Sequence, residues 1–381
     1  MDTFARATLV TVIPLQAYAL LGDPLQYVQL YFLISSLALV SSMTVPLLIR
    51  AFHHRGTLIL GSCCMMGSAI LLSQQDIFWF VPGLTLQFFA AATIAISLNL
   101  YILKNVPRDE LSRFEPVRIL FSGGAWVIGP ALGIFLEQNF MAWLPYLTSG
   151  AFSLCQLCLF LVMRIEHPNR EAAGDAKRPN PIRFLRRFFR QPRLVLAWLL
   201  SVTRAGWWGL FYNIAPVYLI TIGLEKQTIG NVTSLGSAGM LTVLFWGWIA
   251  RRVGLRALFT NAYALAGLLT AIVATTTNYP LLGACFLVIA AAATSIIDSG
   301  GNVPYLRAVR PNESSEMTTV YGTYRDISRV ASQGLYTLLL SVFPFTVIFV
   351  AGGGVMIVMS QCARKLPRGL GVSRENRDRA G

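Results

Sequence analysis

Charge is what this sequence has least of. Only 13% of its 381 residues are charged, 55% are hydrophobic, and mean hydropathy is +0.59. A soluble domain carries about 25% charge, because its surface must be wetted. There is too little charge here to coat a globule of this size, and too much hydrophobicity for intrinsic disorder. Histidine is scarce as well. His53, His54 and His167 are all in polar stretches, so a catalytic cluster of His and acids near one face is not expected. No Gly-x-x-x-x-Gly-Lys-Ser/Thr loop is present, which excludes a phosphate-binding loop of that type. The six cysteines are Cys63, Cys64, Cys155, Cys158, Cys285 and Cys362. Five fall in apolar runs, so Cys155 and Cys158 read as small apolar helix residues rather than a redox or zinc pair. No metal and no cofactor are expected.

What is present is a series of long apolar runs. A membrane helix needs about 20 apolar residues. The uncharged intervals Arg6–Asp23, Asp23–Arg50, Arg55–Asp76, Asp76–Lys104, Arg118–Glu137 and Glu137–Arg164 give six spans. A basic stretch follows. Then come Leu194–Thr221, interrupted only by Arg204, and Lys226–Arg251. The interval Arg256–Asp298 breaks at the turn-like cluster Thr275–Pro280, and Arg329–Arg364 breaks at Ser341–Pro344. The expectation is an all-α membrane protein of twelve helices, in two six-helix units. Their bounds are 1–163 and 194–361, with a basic linker at 164–193 and a tail at 362–381. The first span lacks a basic n-region and a small-residue cleavage site, so it reads as a retained helix and not a signal peptide.

The balance of charge is +14, with 31 Lys+Arg against 17 Asp+Glu. With twelve spans, all the Lys and Arg except Lys226 and Arg204 fall on the side that holds both termini. Positive residues mark the cytoplasmic face, so both termini are expected inside the cell (inner) membrane. The same placement argues against nucleic-acid binding. The basic aromatic segment Arg183–Arg190 reads as an amphipathic helix on an anionic lipid surface.

The halves also match each other. Pro14 and Gly22 correspond to Pro216 and Gly223, Pro46–Arg55 to Gly247–Arg256, and Asn99 to Asn302, all offset by about 200 residues. The segment after the eighth span is similar to the signature of the major facilitator superfamily, Gly-x-x-x-Asp-Arg-x-Gly-x-Arg. Gly247, Arg252, Gly254 and Arg256 fit, and Arg251 stands where that family has Asp. The first-half copy keeps only Arg55. Ala125–Ile134 contains Gly129, Pro130 and Gly133 and resembles part of the family's antiporter motif. The resemblance implies two six-helix bundles that rock about a central cavity lined by spans one, four, seven and ten. It also implies gating roles for Arg251, Arg252, Gly254 and Arg256.

An ionisable group within a span costs roughly 2.5–3.5 kcal/mol on insertion scales and faces protein or water. Arg204 lies about 16 Å past Arg193, and Asp298 about 13 Å from Arg307, at 1.5 Å per residue. Their similar depth leaves three readings: a structural pair, an anion-holding Arg204, or a proton-carrying Asp298. Arg204, Trp208 and Tyr212 share a helix face by their spacing of four, and Asn213 adjoins them. Gln87, Asn99 and Asn302 are further intramembrane amides. These seven polar and aromatic residues are the substrate-binding candidates. Arg325, Asp326 and Arg329, early in the eleventh span, are candidates for gating salt bridges.

These features favour a secondary transporter, working as a monomer in the lipid bilayer, for a small organic solute, with proton coupling as one reading. The alternative is a transport-inactive sensor or assembly protein on the same scaffold. An enzyme is not expected.

Overall fold

The computed structural model describes residues 1–105, 111–162, 181–310, 313–367 and 370. Among them the regular structure is helical. The helices are α1 (Asp2–Leu21), α2 (Pro24–Ile49), α3 (Arg55–Ser73), α4 (Ile77–Leu98), α5 (Leu120–Asn139) and α6 (Leu144–Val162). After a short linker helix, Pro181–Phe189, follow α7 (Pro192–Thr221), α8 (Lys226–Val253), α9 (Leu255–Val273) and α10 (Pro280–Ala308). The last two are α11 (Tyr324–Leu340) and α12 (Val347–Ala363).

Ten helices, not the expected twelve, are long and apolar enough to cross a membrane among the described residues. α12 is apolar but has only 17 residues. α11 also has 17, and it opens with Arg325, Asp326 and Arg329, which lower its hydropathy. The outer surface of the bundle is apolar. Phe78, Phe121 and Leu338 are each more than 70% exposed, which suits hydrocarbon and not water.

Local chemistry sets the ends. α1 stops at Gly22, whose φ of +70° is left-handed. Asp23 then caps α2, its side chain accepting from the Leu25 amide at 3.1 Å, with Pro24 at the first helical position. Gly223, φ +91°, makes the matching stop between α7 and α8. The other pair of turns is more telling. Gly254 takes φ +90° between α8 and α9, and His53, its partner in the sequence repeat, takes φ +58° between α2 and α3. The first half has kept the left-handed turn of the signature loop after losing its glycine. A non-glycine residue there is strained by about 1–3 kcal/mol.

Irregular backbone concentrates in the second half. α7 contains a π-helical turn, Leu210–Ile214, just before Pro216. α8 passes through a 3-10 turn, Gly239–Thr242. α10 is interrupted after Gly300, where Gly301 takes φ +43° and the chain resumes as Val303–Ala308. Such turns inside helices recur at functional sites.

The helices of each half pack on one another. α3 lies against α4 and α6, and α9 against α10 and α12. Glycines allow the closest crossings. A Cβ on Gly133 would lie 1.9 Å from the Thr8 carbonyl oxygen of α1. Gly267 and Gly353 bring α9 and α12 together, since a Cβ on either would meet the other's carbonyl oxygen at 2.7 or 2.5 Å. The linker helix is docked as well as amphipathic. Phe188 is fully buried, Arg187 pairs with Glu313, and Gln191 donates to Glu313 at 3.2 Å. Arg186 and Arg190 stay exposed.

The α9–α12 crossing yields a test within one helix. Overpacking a tight contact costs about 1–3 kcal/mol. Gly353→Val is therefore expected to lower the melting midpoint of detergent-solubilised protein markedly. Gly354→Val, where a Cβ meets nothing within 4 Å, is expected to leave it near wild type.

Candidate functional site

The two halves meet unequally. Towards the ends of the spans away from the termini, three polar contacts join them. Lys226 Nζ lies 2.6 Å from Glu137 Oε1, the Ala131 amide donates to Ser234 Oγ at 2.9 Å, and Tyr27 Oη donates to the Asn213 carbonyl at 2.7 Å. There the outer turns of α1 and α7 also touch. α8 packs on α5 through Lys226–Ala238, whereas its inner part, Val243–Val253, turns to α9 and α10. Among the described residues no hydrogen bond or ion pair joins α5 to Val243–Val253, or α4 to α10. α2 and α11 stay together nearer the termini, where Ser42 Oγ donates to Asp326 at 3.5 Å.

Between the halves lies a cavity of about 170 Å³. Residues of α1, α2, α4 and α5 form most of its wall, with Asn213 of α7 and Arg329 of α11 closing it from the second half. Gln87 and Asn213, singled out from sequence as binding residues, line it. So does Arg329, singled out as a gating residue. Arg6, Tyr31, Phe88 and Trp126 also line it, and none of these was singled out. Arg6 resembles ordinary terminal charge, and the rings lie in apolar runs where lipid-facing aromatics are common. Trp126 sits inside the motif around Gly129 and Pro130, and that was the available signal.

Arg204 and Asp298 are beside this cavity, not among its lining residues. Arg204 Nε lies 3.3 Å from Asp298 Oδ1, so the similar depths read from sequence correspond to a direct ion pair between α7 and α10. Both side chains are largely buried, at 11% and 25% exposure. Trp208 Nε1 donates to the second carboxylate oxygen at 2.9 Å. The helix face expected from the spacing of four is present. Trp208 stacks on Tyr212 with ring centres 5.3 Å apart and planes at 17°. Tyr212 Oη shares a hydrogen bond with Ser237 at 2.9 Å, and its ring lies 4.9 Å from Trp126. A continuous path of side chains therefore runs from the ion pair to the cavity wall. Asn213 donates back to the Gly209 carbonyl within the π-turn, at 3.0 Å.

The remaining candidates are at the end that holds the termini. Asn302 Oδ1 accepts from Tyr321 Oη at 3.1 Å, and Tyr321 also bonds Ser201 at 2.6 Å, so Asn302 fastens α10 to α7. The Asn99 side chain lies outside the described residues. Arg252 stacks over Trp248 at 3.7 Å, and Arg251 and Arg256 flank the left-handed Gly254. Arg325 Nε donates to Tyr324 Oη at 3.1 Å. No group of three His, Cys, Asp or Glu that could hold a metal occurs among the described residues.

The ion pair carries a stability prediction. Removing one partner of a buried pair strands the other charge and costs about 3–5 kcal/mol, whereas replacing both with apolar residues costs far less. Arg204→Met and Asp298→Leu are each expected to lower the melting midpoint strongly. The double substitution is expected to recover most of the loss. Additive single losses would show that the two charges are not coupled.

The sequence of residues 1–333 matches the family model described as Major Facilitator Superfamily. No curated protein matches. Three solved structures share the architecture at low identity. One is a POT family transporter in complex with 5-aminolevulinic acid, at TM-score 0.75 and 12% identity, covering 94% of this chain and 93% of that one. The second is the peptide transporter POT in complex with sulfate, at TM-score 0.75 and 11% identity, covering 95% and 92%. The third is the nucleoside transporter NupG, at TM-score 0.65 and 13% identity, covering 95% and 97%. At such identities the likeness is one of fold. Match and architecture together place this chain in the Major Facilitator Superfamily, as a multi-pass membrane protein of the transporter fold and not an enzyme.

Proposed function

We propose that this protein is a secondary transporter that carries a small organic solute by alternating access, and that the cavity between its halves is the solute site. One observation carries the reading: the cavity is walled by both halves, which are bonded to each other beyond it on the side away from the termini, while on the other side α2 and α11 remain in contact and no hydrogen bond joins α5 to Val243–Val253 among the described residues. A rocking motion that broke the Lys226–Glu137 and Tyr27–Asn213 contacts would open the cavity to the opposite face. The charge asymmetry supports a topology with both termini cytoplasmic, in the cell (inner) membrane, and in that topology the Lys226–Glu137 contact lies on the outer side. The protein works as a monomer in this reading. Gln87 and Asn213 contact the solute from opposite halves. Trp208, Tyr212 and Asn302 support the helices that carry it, and Asn99 flanks the inner mouth as the repeat partner of Asn302. Arg251, Arg252, Gly254, Arg256, Arg325 and Asp326 act at the inner gate.

In the same reading Asp298 takes up the coupling proton. Protonation would end its attraction to Arg204 and loosen α7 from α10, beside the Gly300–Gly301 interruption. One proton from solution neutralises the carboxylate and leaves the Arg204 charge without its partner.

Two measurements test the proposal. In a cysteine-depleted background, Glu137→Cys with Lys226→Cys, joined by a short bifunctional reagent, is expected to stop solute flux in proteoliposomes. Cleaving the link is expected to restore it. Flux undiminished by the cross-link would show that this side need not open. Asp298→Asn is expected to remove the pH dependence of net uptake and to spare solute exchange. An unaltered pH profile would discard the proton role.

A further inference from the structure

The cavity contains an imbalance of charge. Two guanidinium groups, Arg6 and Arg329, line it, and no carboxylate does. Arg6 is held by Asp2, Nη2 to Oδ2 at 2.6 Å, yet its buried Nε has no hydrogen-bond partner. Arg329 forms no ion pair and no hydrogen bond among the described residues. It rests against the Phe88 ring, 5.0 Å from the centroid. The charges that act on it are Asp326, Arg6 and Arg325. Asp326 accepts instead from Ser42 and does not reach ion-pair distance of Arg329. Arg329 is half-buried, and a guanidinium partly withdrawn from water without a partner is costly. Helices could have placed Leu at position 329 and avoided that cost.

A third group points to the same void. Tyr31 is 2% exposed and lines the cavity, and Tyr27, whose ring centre lies 4.6 Å from its own, brings a hydroxyl beside it. Three residues with donor groups therefore line one space: Arg329, Arg6 and Tyr31. The Gln87 amide lies on the same wall. The rest of the wall is apolar, with Leu9, Ile13, Leu84, Phe88 and Trp126.

We propose that the solute is a small organic monocarboxylate, its carboxylate held between Arg329 of α11 and Arg6 of α1 with the Tyr31 hydroxyl as a further donor. This rests on the transporter reading above and names its substrate class. The carboxylate supplies the missing negative charge, and the fork geometry of a guanidinium suits it. The apolar remainder of the solute packs against Phe88 and Trp126. Because Arg6 and Arg329 belong to different halves, a bound carboxylate attracts both. It draws α11 towards α1 and leaves the cavity with no uncompensated charge. The proposal moves the anion-binding role that sequence offered to Arg204 onto Arg329, since Arg204 already has a carboxylate partner.

The test uses the purified full-length chain in detergent with benzoate, pentanoate and indole-3-acetate, and with the neutral amide of each. At least one carboxylate is expected to raise the melting midpoint and to bind by calorimetry, and its amide is expected to do neither. A ligand that binds only the folded state must stabilise it. Arg329→Gln is expected to weaken binding by at least about tenfold, as loss of a charged hydrogen-bond partner does. Arg329→Lys is expected to recover part of it, and Tyr31→Phe to weaken it severalfold with the melting midpoint of the free protein kept. Should Arg329→Gln fail to fold, Tyr31→Phe and Arg329→Lys carry the test. The proposal is overturned if no carboxylate binds, if amides bind as well, or if Arg329→Gln binds unchanged. Counterflow in liposomes separates it from the transporter reading. A carboxylate that binds but is never exchanged sinks transport and leaves the site. A neutral or cationic solute carried equally by wild type and Arg329→Gln leaves transport and sinks the carboxylate.

Discussion

In hydrocarbon a backbone amide has no water to bond, so every turn of chain must satisfy its own polar groups or be enclosed by protein. The rest of this molecule depends on that constraint. It makes nearly all of the described chain helical and turns apolar side chains such as Phe78 and Leu338 outward. It also favours irregular backbone where protein encloses it, although the 3-10 turn Gly239–Thr242 has no buried residue. The π-turn at Leu210–Ile214 is tolerated because Leu210, Phe211, Tyr212 and Ile214 are buried among neighbouring helices. The 3-10 turn of α8 is accommodated because Gly239 lets the backbone approach Ser295 of α10, where a Cβ would lie 2.7 Å from its hydroxyl. Charge obeys the same rule. Arg204 and Asp298 exist in mid-span only as a pair.

Much of the fold was legible because the signals that end a membrane helix are local. Thr275–Pro280 read as a turn, and α9 indeed stops at Val273 and α10 begins at Pro280. Ser341–Pro344 read likewise, and it separates α11 from α12. The Gly22/Gly223 match predicted equivalent turns, and both residues take left-handed φ values. The count of spans was less secure. Charge-free intervals measure where a helix could cross, whereas α11 begins with three charged residues within its first two turns. Sequence also gave no warning of His53. Its left-handed backbone appears only when the Gly254 turn is laid over it, since the repeat keeps the shape and not the residue.

The site was partly legible for a related reason. Mid-span charge is rare enough to notice, so Arg204 and Asp298 stood out, and their equal depth pointed to each other. Gln87 and Asn213 stood out as amides among apolar neighbours. Arg6, Tyr31 and Trp126 did not. A charge five residues from the chain start looks like a helix end, and rings in an apolar run look like core or lipid contacts. Their role depends on which way each side chain points and on what the opposite half brings near. That is long-range information, such as Arg329 facing Phe88 across the interface.

The ion pair and the cavity are not independent features. Asp298 bonds Trp208, Trp208 stacks on Tyr212, and Tyr212 lies against Trp126, whose ring forms part of the cavity wall. Three of these four side chains are rigid rings, and stacked rings shift together more readily than they deform. Tyr212 is in the π-turn, where one extra residue per turn already relaxes the helical ladder. A change in the spacing of α7 and α10 that keeps the Trp208–Asp298 bond would shift Trp208, and with it Tyr212 against Trp126. Trp126 is on α5, the helix that bonds α8 through Ala131–Ser234 and Glu137–Lys226 at the closed side. The same helix thus touches the cavity, the aromatic stack and the contacts that hold the far side shut. The Arg204–Asp298 pair is joined to the closure by a chain of contacts, with no direct contact between them.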